Sequence, residues 1–176
     1  MLPPYDIRLL PHDPAWPDQA GQEGDRILEA VGFAIGSVQH IGSTSIPGIL
    51  AKPIIDLMGI GPDIEALDSA RPGLEGIGYA WHGEYGLDGR RYCTLTDTVT
   101  GLRKFHLHCY AEGDHSIRRH LAFRDYLRIR PAAAQEYERM KEGCAARHPA
   151  DSNAYTLCKD RWIKNVEAQA LKYFGG

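Results

Sequence analysis

The stretch that decides the fold reads His40-Ile41-Gly42-Ser43-Thr44-Ser45-Ile46-Pro47-Gly48-Ile49-Leu50-Ala51-Lys52-Pro53-Ile54-Ile55-Asp56. Before it, residues 34–41 form an apolar, strand-like approach. After the linker, residues 53–60 read as a second buried strand carrying a single acid, Asp56. Glycine at 42 lets backbone come close to a phosphate, and the Ser43 hydroxyl can donate to a phosphate oxygen. A short helix opening at Ser43, Thr44 and Ser45 would add free N–H donors. A plain helix cap is the alternative, since Ser and Thr are common there. Asp56 carries more information than a surface acid. A carboxylate in an apolar strand is costly unless it is paired or binds metal. Its bland partner would be Lys52 or a nearby arginine.

Working outward, the first half of the chain is rich in Gly and Pro and alternates short apolar runs. Residues 7–10 are expected to form a first short strand. A turn with three prolines leads into a helix over 18–31, where Ile27, Leu28 and Val31 make a stripe at helical spacing. Pro62-Asp63 starts a helical segment that Pro72-Gly73 breaks in two. Residues 78–81 form a short strand, and 90–96 with 102–110 make a hairpin pair rich in β-branched and aromatic residues. From about residue 113 the pattern turns helical. Asp114 or Ser116 caps a helix to 129, Pro131 opens one to 146, and Asp151 or Ser152 caps one to 173. The expectation is a single domain over 1–176, sheet-rich to about 112 and helical from about 113.

Bulk properties narrow the function. A chain of 176 residues holds a core that needs no staples. A net charge of −3 argues against a general nucleic-acid binder, whose affinity rests on a basic surface. Cys93, Cys109, Cys144 and Cys158 include no Cys-x-x-Cys pair, so a zinc ribbon or redox pair is not expected. Scattered cysteines, and an N-terminus without a basic-then-apolar leader, suit a reducing cytoplasm. No run approaches the ~18 apolar residues that span a membrane.

Three further groups can do chemistry. In Phe105-His106-Leu107-His108, strand alternation puts both histidines on one face, about 7 Å apart, where both can address a metal or an anion. Without a third ligand they can equally be a polar face. Glu84, in Gly83-Glu84-Tyr85-Gly86, can serve as a second carboxylate, and Arg90 or Arg91 can clamp phosphate. Arg118, Arg119, Arg124, Arg128 and Arg130 read mainly as a solvated helix face.

These strings together resemble the GrpB family of nucleotidyltransferase-like proteins. The resemblance spans nearly the whole chain. It rests on residues 40–48, 51–56, 83–86 and 105–108, then on Phe123-Arg124-Asp125-Tyr126-Leu127-Arg128, and on Tyr155 with Lys159. It implies an α+β fold: a nucleotidyltransferase-like mixed sheet with flanking helices and a helical C-terminal part. It also implies a bacterial cytoplasmic setting and a link to dephospho-coenzyme A kinase, to which family members are fused. In that superfamily a Gly-Ser turn binds nucleotide phosphates, matched here by Gly42 and Ser43, and a strand carboxylate binds divalent metal, matched by Asp56. Two departures stand out. The second acid, expected two residues after the first, is Met58, a poor ligand for Mg²⁺. The later strand supplies His106 and His108 where a third acid is expected.

The expectation is therefore a metal-dependent nucleotidyltransferase acting on a nucleoside triphosphate or phosphorylated small molecule. Gly42, Ser43, Thr44, Ser45 and Arg91 hold phosphate. Asp56, His106 and His108 hold Mg²⁺, Mn²⁺ or a transition metal. Asp56, Glu84 and Lys52 act in catalysis. The alternatives are a non-catalytic nucleotide or phosphometabolite-binding module with a degenerate metal site, and a hydrolase using a transition metal at His106, His108 and Asp56.

Overall fold

Strand pairing brings the two informative segments side by side. In the computed structural model, which describes residues 3–175, β2 (Ile55–Gly61) lies between β1 (Ser37–Ile41) and β5 (Arg103–Ala111). β4 (Arg91–Thr96) and β3 (Ala80–Trp81) complete a five-stranded sheet in the order β1-β2-β5-β4-β3. β2 and β5 run parallel and the other neighbours antiparallel, so the sheet is mixed. The register places Ile41 beside Asp56, Asp56 beside His106, and His106 beside Thr94. One step along, Gln39, Met58, His108 and Tyr92 form the next row.

Period-two alternation then gives the sheet two different faces. Ile55, Leu57, Phe105, Leu107, Cys93 and Cys109 point to the far face. There they are buried with Trp16, Ala20 and Ile27 of α1 (Trp16–Val31), with Leu67 of α2 (Ile64–Ser69) and with Leu74 of α3 (Arg71–Gly76). Each such aliphatic side chain contributes roughly 1.5–3 kcal/mol. The break between α2 and α3 falls beside Pro72, as expected of a residue that removes a helical N–H donor.

The near face carries Asp56, His106 and His108, and the C-terminal helices cover part of it. α4 (His115–Ile129) is capped by Asp114, α5 (Pro131–Arg147) opens on proline, and α6 (Ser152–Tyr173) is capped by Asp151. Ile117 and Leu121 of α4 pack on Ile41, Met58 and Tyr110. Ile46 and Ile49, from the linker after the Gly-Ser turn, are buried with Phe123, Leu127, Tyr137 and Val166. The helical part thus seals the linker and leaves Asp56 at the edge of the covered area. None of these helices is long and apolar enough to cross a membrane.

Two expectations change. Residues 7–10 do not form a strand: Leu10 makes one isolated bridge with Ala51, through reciprocal backbone bonds of 2.8 and 2.9 Å. Pro11 follows and has no N–H to extend the ladder. The cysteines are also not all free. Cys144 of α5 and Cys158 of α6 form a disulfide, while Cys93 and Cys109 are free and buried. The helical hairpin brings together two positions whose spacing of 14 carries no motif.

Candidate functional site

The turn after β1 is a single 3-10 turn over Ser43–Ser45, opened by Gly42 at φ +69°. It is built from inside. The Ser45 hydroxyl donates to the Gly42 carbonyl at 2.6 Å, and the buried Thr44 hydroxyl meets His40 Nε2 at 2.9 Å. From α4, Arg128 Nε donates to the Ser45 carbonyl at 2.9 Å, and Arg124 donates to the His40 carbonyl at 3.2 Å. From α5, Tyr137 is hydrogen-bonded to Ser43. Thr44 and Ser45 therefore spend their hydroxyls on the turn itself. Gly42 and Ser43 are the turn residues that line the adjoining cavity.

That cavity has a volume of about 590 Å³, with Asp56, His106 and His108 in its wall. His106 Nδ1 lies 3.1 Å from Asp56 Oδ1, and His108 Nε2 lies 3.9 Å from the same oxygen. One ligand atom from each residue falls within 4.8 Å of the others, close enough to share one ion. Burial would raise the Asp56 pKa, but the hydrogen bond with His106 and the nearby His108 ring hold it far below the ordinary carboxylate range. Burial holds His106 below its ordinary value, so its ring is neutral near pH 7 and keeps a lone pair to donate. His106 Nε2 and His108 Nδ1 are buried without a hydrogen-bond partner. These are the ring nitrogens opposite those that face Asp56, and each is a buried polar atom left unsatisfied by the protein. One carboxylate and two imidazoles fit a borderline divalent ion such as Mn²⁺, Fe²⁺ or Zn²⁺ better than Mg²⁺, which prefers oxygen throughout.

The rest of the ionisable lining is cationic: Lys52, Arg90, Arg103 and Lys159. Lys52 Nζ donates to the Tyr5 hydroxyl at 2.8 Å. Arg90 donates to the Glu84 and Tyr85 carbonyls and lies over the Tyr92 ring, so it also braces the loop before β4. Tyr85 and Tyr92, with centroids 5.2 Å apart, add an aromatic wall.

Two of the expected site residues lie elsewhere. Arg91 projects from β4 on the opposite side from Tyr92 and forks onto Asp68 at 2.5 and 2.8 Å. The Glu84 carboxylate accepts from the Gly89 N–H at 2.9 Å and sits 3.7 Å from Arg91. Neither lines the cavity. Alternation alone favours Arg90 over Arg91, because Arg90, Tyr92 and Thr94 share a parity. Lys159 enters the sequence reading only through the family resemblance, with no role attached, and Tyr137 and Arg103 do not enter it as site residues. Lys159 and Tyr137 arrive on α6 and α5, from the half of the chain that reads as plain helix.

The family profile described as GrpB protein matches residues 6–169. The chain belongs to the GrpB family. UPF0157 protein YqkA of Bacillus subtilis is 38% identical over 176 residues, covering 100% of this chain and 50% of that protein. Glutamate-rich protein GrpB of Alkalihalophilus pseudofirmus is 30% identical, covering 92% of this chain and 94% of that one. The crystal structure of conserved protein GrpB from Enterococcus faecalis matches with a TM-score of 0.87 at 39% identity, over 96% of this chain and 100% of that one. A Cid1 poly(U) polymerase structure with MgGTP bound matches with a TM-score of 0.52 at 14% identity, over 81% of this chain and 45% of that one. This last likeness concerns fold alone: the GrpB-family fold is nucleotidyltransferase-like. A dephospho-CoA kinase of Mycobacterium tuberculosis is 27% identical over 94% of this chain and 46% of that protein. This GrpB-family chain thus spans half the length of the Bacillus relative and less than half of the mycobacterial one.

Proposed function

We propose that this chain binds a nucleoside triphosphate in the 590 Å³ cavity and transfers its nucleoside monophosphate to an acceptor, releasing pyrophosphate. The observation that carries the reading is the pairing of Asp56, His106 and His108 with a lining otherwise cationic among its ionisable groups. Such a lining selects an anion, and the carboxylate beside two imidazoles supplies the place where the anion would meet a metal.

Asp56, His106 and His108 would hold a divalent ion, which when bound polarises a phosphoryl oxygen and offsets its charge. The remaining work falls to the protein. Gly42 brings backbone within reach of a phosphate, and the Ser43 hydroxyl donates to it. Lys52 faces the negative charge that develops as the bond to the leaving pyrophosphate lengthens. The acceptor oxygen or nitrogen bonds to the α-phosphorus, the bridging P–O bond breaks, and the acceptor proton passes to water in the open cavity. The experiment is pyrophosphate release from each of the four ribonucleoside triphosphates with Mn²⁺ or Mg²⁺. The expected result is release by the wild type and its loss in Asp56→Asn. Absence of both nucleotide binding and turnover with either metal would sink the reading.

One observation favours a second reading, a binding module that does no chemistry. Met58 occupies the position of a second carboxylate and is fully buried against Ile41 and Tyr110. Asp56→Ala separates the two: metal-independent nucleotide binding that survives the substitution favours the module.

A further inference from the structure

Lys52 and Lys159 reach the cavity from opposite sides of the fold, one from the linker before β2 and the other from α6. Both ammonium groups lie over the same ring: Lys159 Nζ is 4.2 Å and Lys52 Nζ 5.5 Å from the Tyr155 centroid. Among the described residues neither is ion-paired with a carboxylate. Lys52 spends one donor on Tyr5, and Lys159 has no hydrogen-bond partner in the protein at all among the described residues. Burial, then the neighbouring Lys52 charge, pushes Lys159 down to about 7, while Asp56 across the cavity opposes the shift.

Two lysines held together without a paired carboxylate are costly when both are charged, and an anion bound between them would hold Lys159 in its charged form. The Tyr155 and Tyr5 rings offset only part of that cost. Most lysines in such surroundings would turn to solvent along their flexible stems. Lys159 is instead held over Tyr155, whose ring is buried, and Lys52 sits between the rings of Tyr155 and Tyr5, 5.0 Å from the Tyr5 centroid.

We infer that Lys52 and Lys159 form a polyphosphate subsite, so that the ligand of this cavity carries a phosphoryl group beyond the one that meets Asp56. The inference deepens the reading above and rests on it for the position of the reacting phosphate. It narrows the substrate class to di- and triphosphates, because a monophosphate engages one end of the site only. Lys52 and Lys159 are then binding residues for the leaving group.

The test uses inorganic phosphate, pyrophosphate and tripolyphosphate as probes, titrated calorimetrically into the whole chain at constant ionic strength. Affinity is expected to rise from phosphate to pyrophosphate to tripolyphosphate. Lys159→Gln is expected to weaken pyrophosphate about tenfold or more, the scale of one charged hydrogen bond, and Lys159→Arg to restore most of it. Unfolding curves for each variant show whether the fold is intact. Wild-type protein that binds phosphate and pyrophosphate equally, or neither, overturns the subsite. So does Lys159→Gln with wild-type affinity in a folded protein. The outcomes separate this inference from the transferase reading. Pyrophosphate binding that depends on Lys159, without turnover of any nucleotide, upholds the subsite and removes the transferase. Turnover with an unchanged KM in Lys159→Gln does the reverse.

Discussion

The Asp56 carboxylate packs directly on the α-carbon of Gly42, so that a β-carbon at 42 would overlap Asp56 Oδ2. Gly42 also holds φ at +69°, a conformation that side chains with a β-carbon rarely adopt. Turn and carboxylate are therefore one unit: the Asp56 carboxylate fills the space a side chain at 42 would need. Gly42→Ala is expected to lower stability by about 1–3 kcal/mol from backbone strain alone and to displace Asp56 from His106. Urea unfolding together with Mn²⁺ titration checks both effects. A variant with reduced stability but wild-type Mn²⁺ affinity would separate the turn from the site.

Met58 gives the next prediction. In the register it neighbours His108, yet it packs under α4 with Ile41 and Tyr110. Met58→Asp, which would place a second acid two residues after Asp56, would bury a charge among apolar groups without a partner. The expected outcome is a loss of about 3 kcal/mol or more and no gain in Mg²⁺-dependent turnover. A stable Met58→Asp variant that gains activity with Mg²⁺ would show instead that the site is a two-metal centre lacking one ligand.

Lys141 supplies a pH prediction. It is fully buried, donates to the Leu50 carbonyl and lies 4.6 Å from the centroid of the Tyr137 ring. Burial pushes it down to about 7 from an ordinary 10.5. Between these values the unfolded chain keeps a proton that the folded chain has shed. This group's contribution is therefore least favourable below pH 7 and improves as pH rises toward 10.5, by up to about 1.4 kcal/mol per pH unit. Lys141→Met removes that contribution. The difference in unfolding free energy between wild type and Lys141→Met is expected to shift toward wild type from pH 7 to pH 10. Parallel curves over that range would refute the burial argument.

Most of the architecture is readable from local signals. Prolines at 72 and 131, acids at 114 and 151, and alternation in 105–108 mark elements that the fold contains. The convergence of Asp56 with both histidines is harder to read, because it depends on β2 and β5 being parallel neighbours, which no local pattern specifies. Arg91 shows the limit in the other direction. Its charge suggests phosphate, but one residue of strand parity turns it toward Asp68. Lys159 and the Cys144–Cys158 bond depend on how three helices fold back on the sheet, and helical spacing alone does not encode that.

On the proposed reading, Asp56, His106 and His108 hold one divalent ion at the wall of an anion-binding cavity. Electron paramagnetic resonance of Mn²⁺ titrated into the purified chain tests it most directly. About one bound equivalent is expected in the wild type, with affinity falling more than about 100-fold in His106→Ala and Asp56→Asn, and tighter binding when a nucleoside triphosphate is present. Wild-type protein that takes up no Mn²⁺, Fe²⁺ or Zn²⁺ near stoichiometry, or variants that bind as the wild type does, would contradict it.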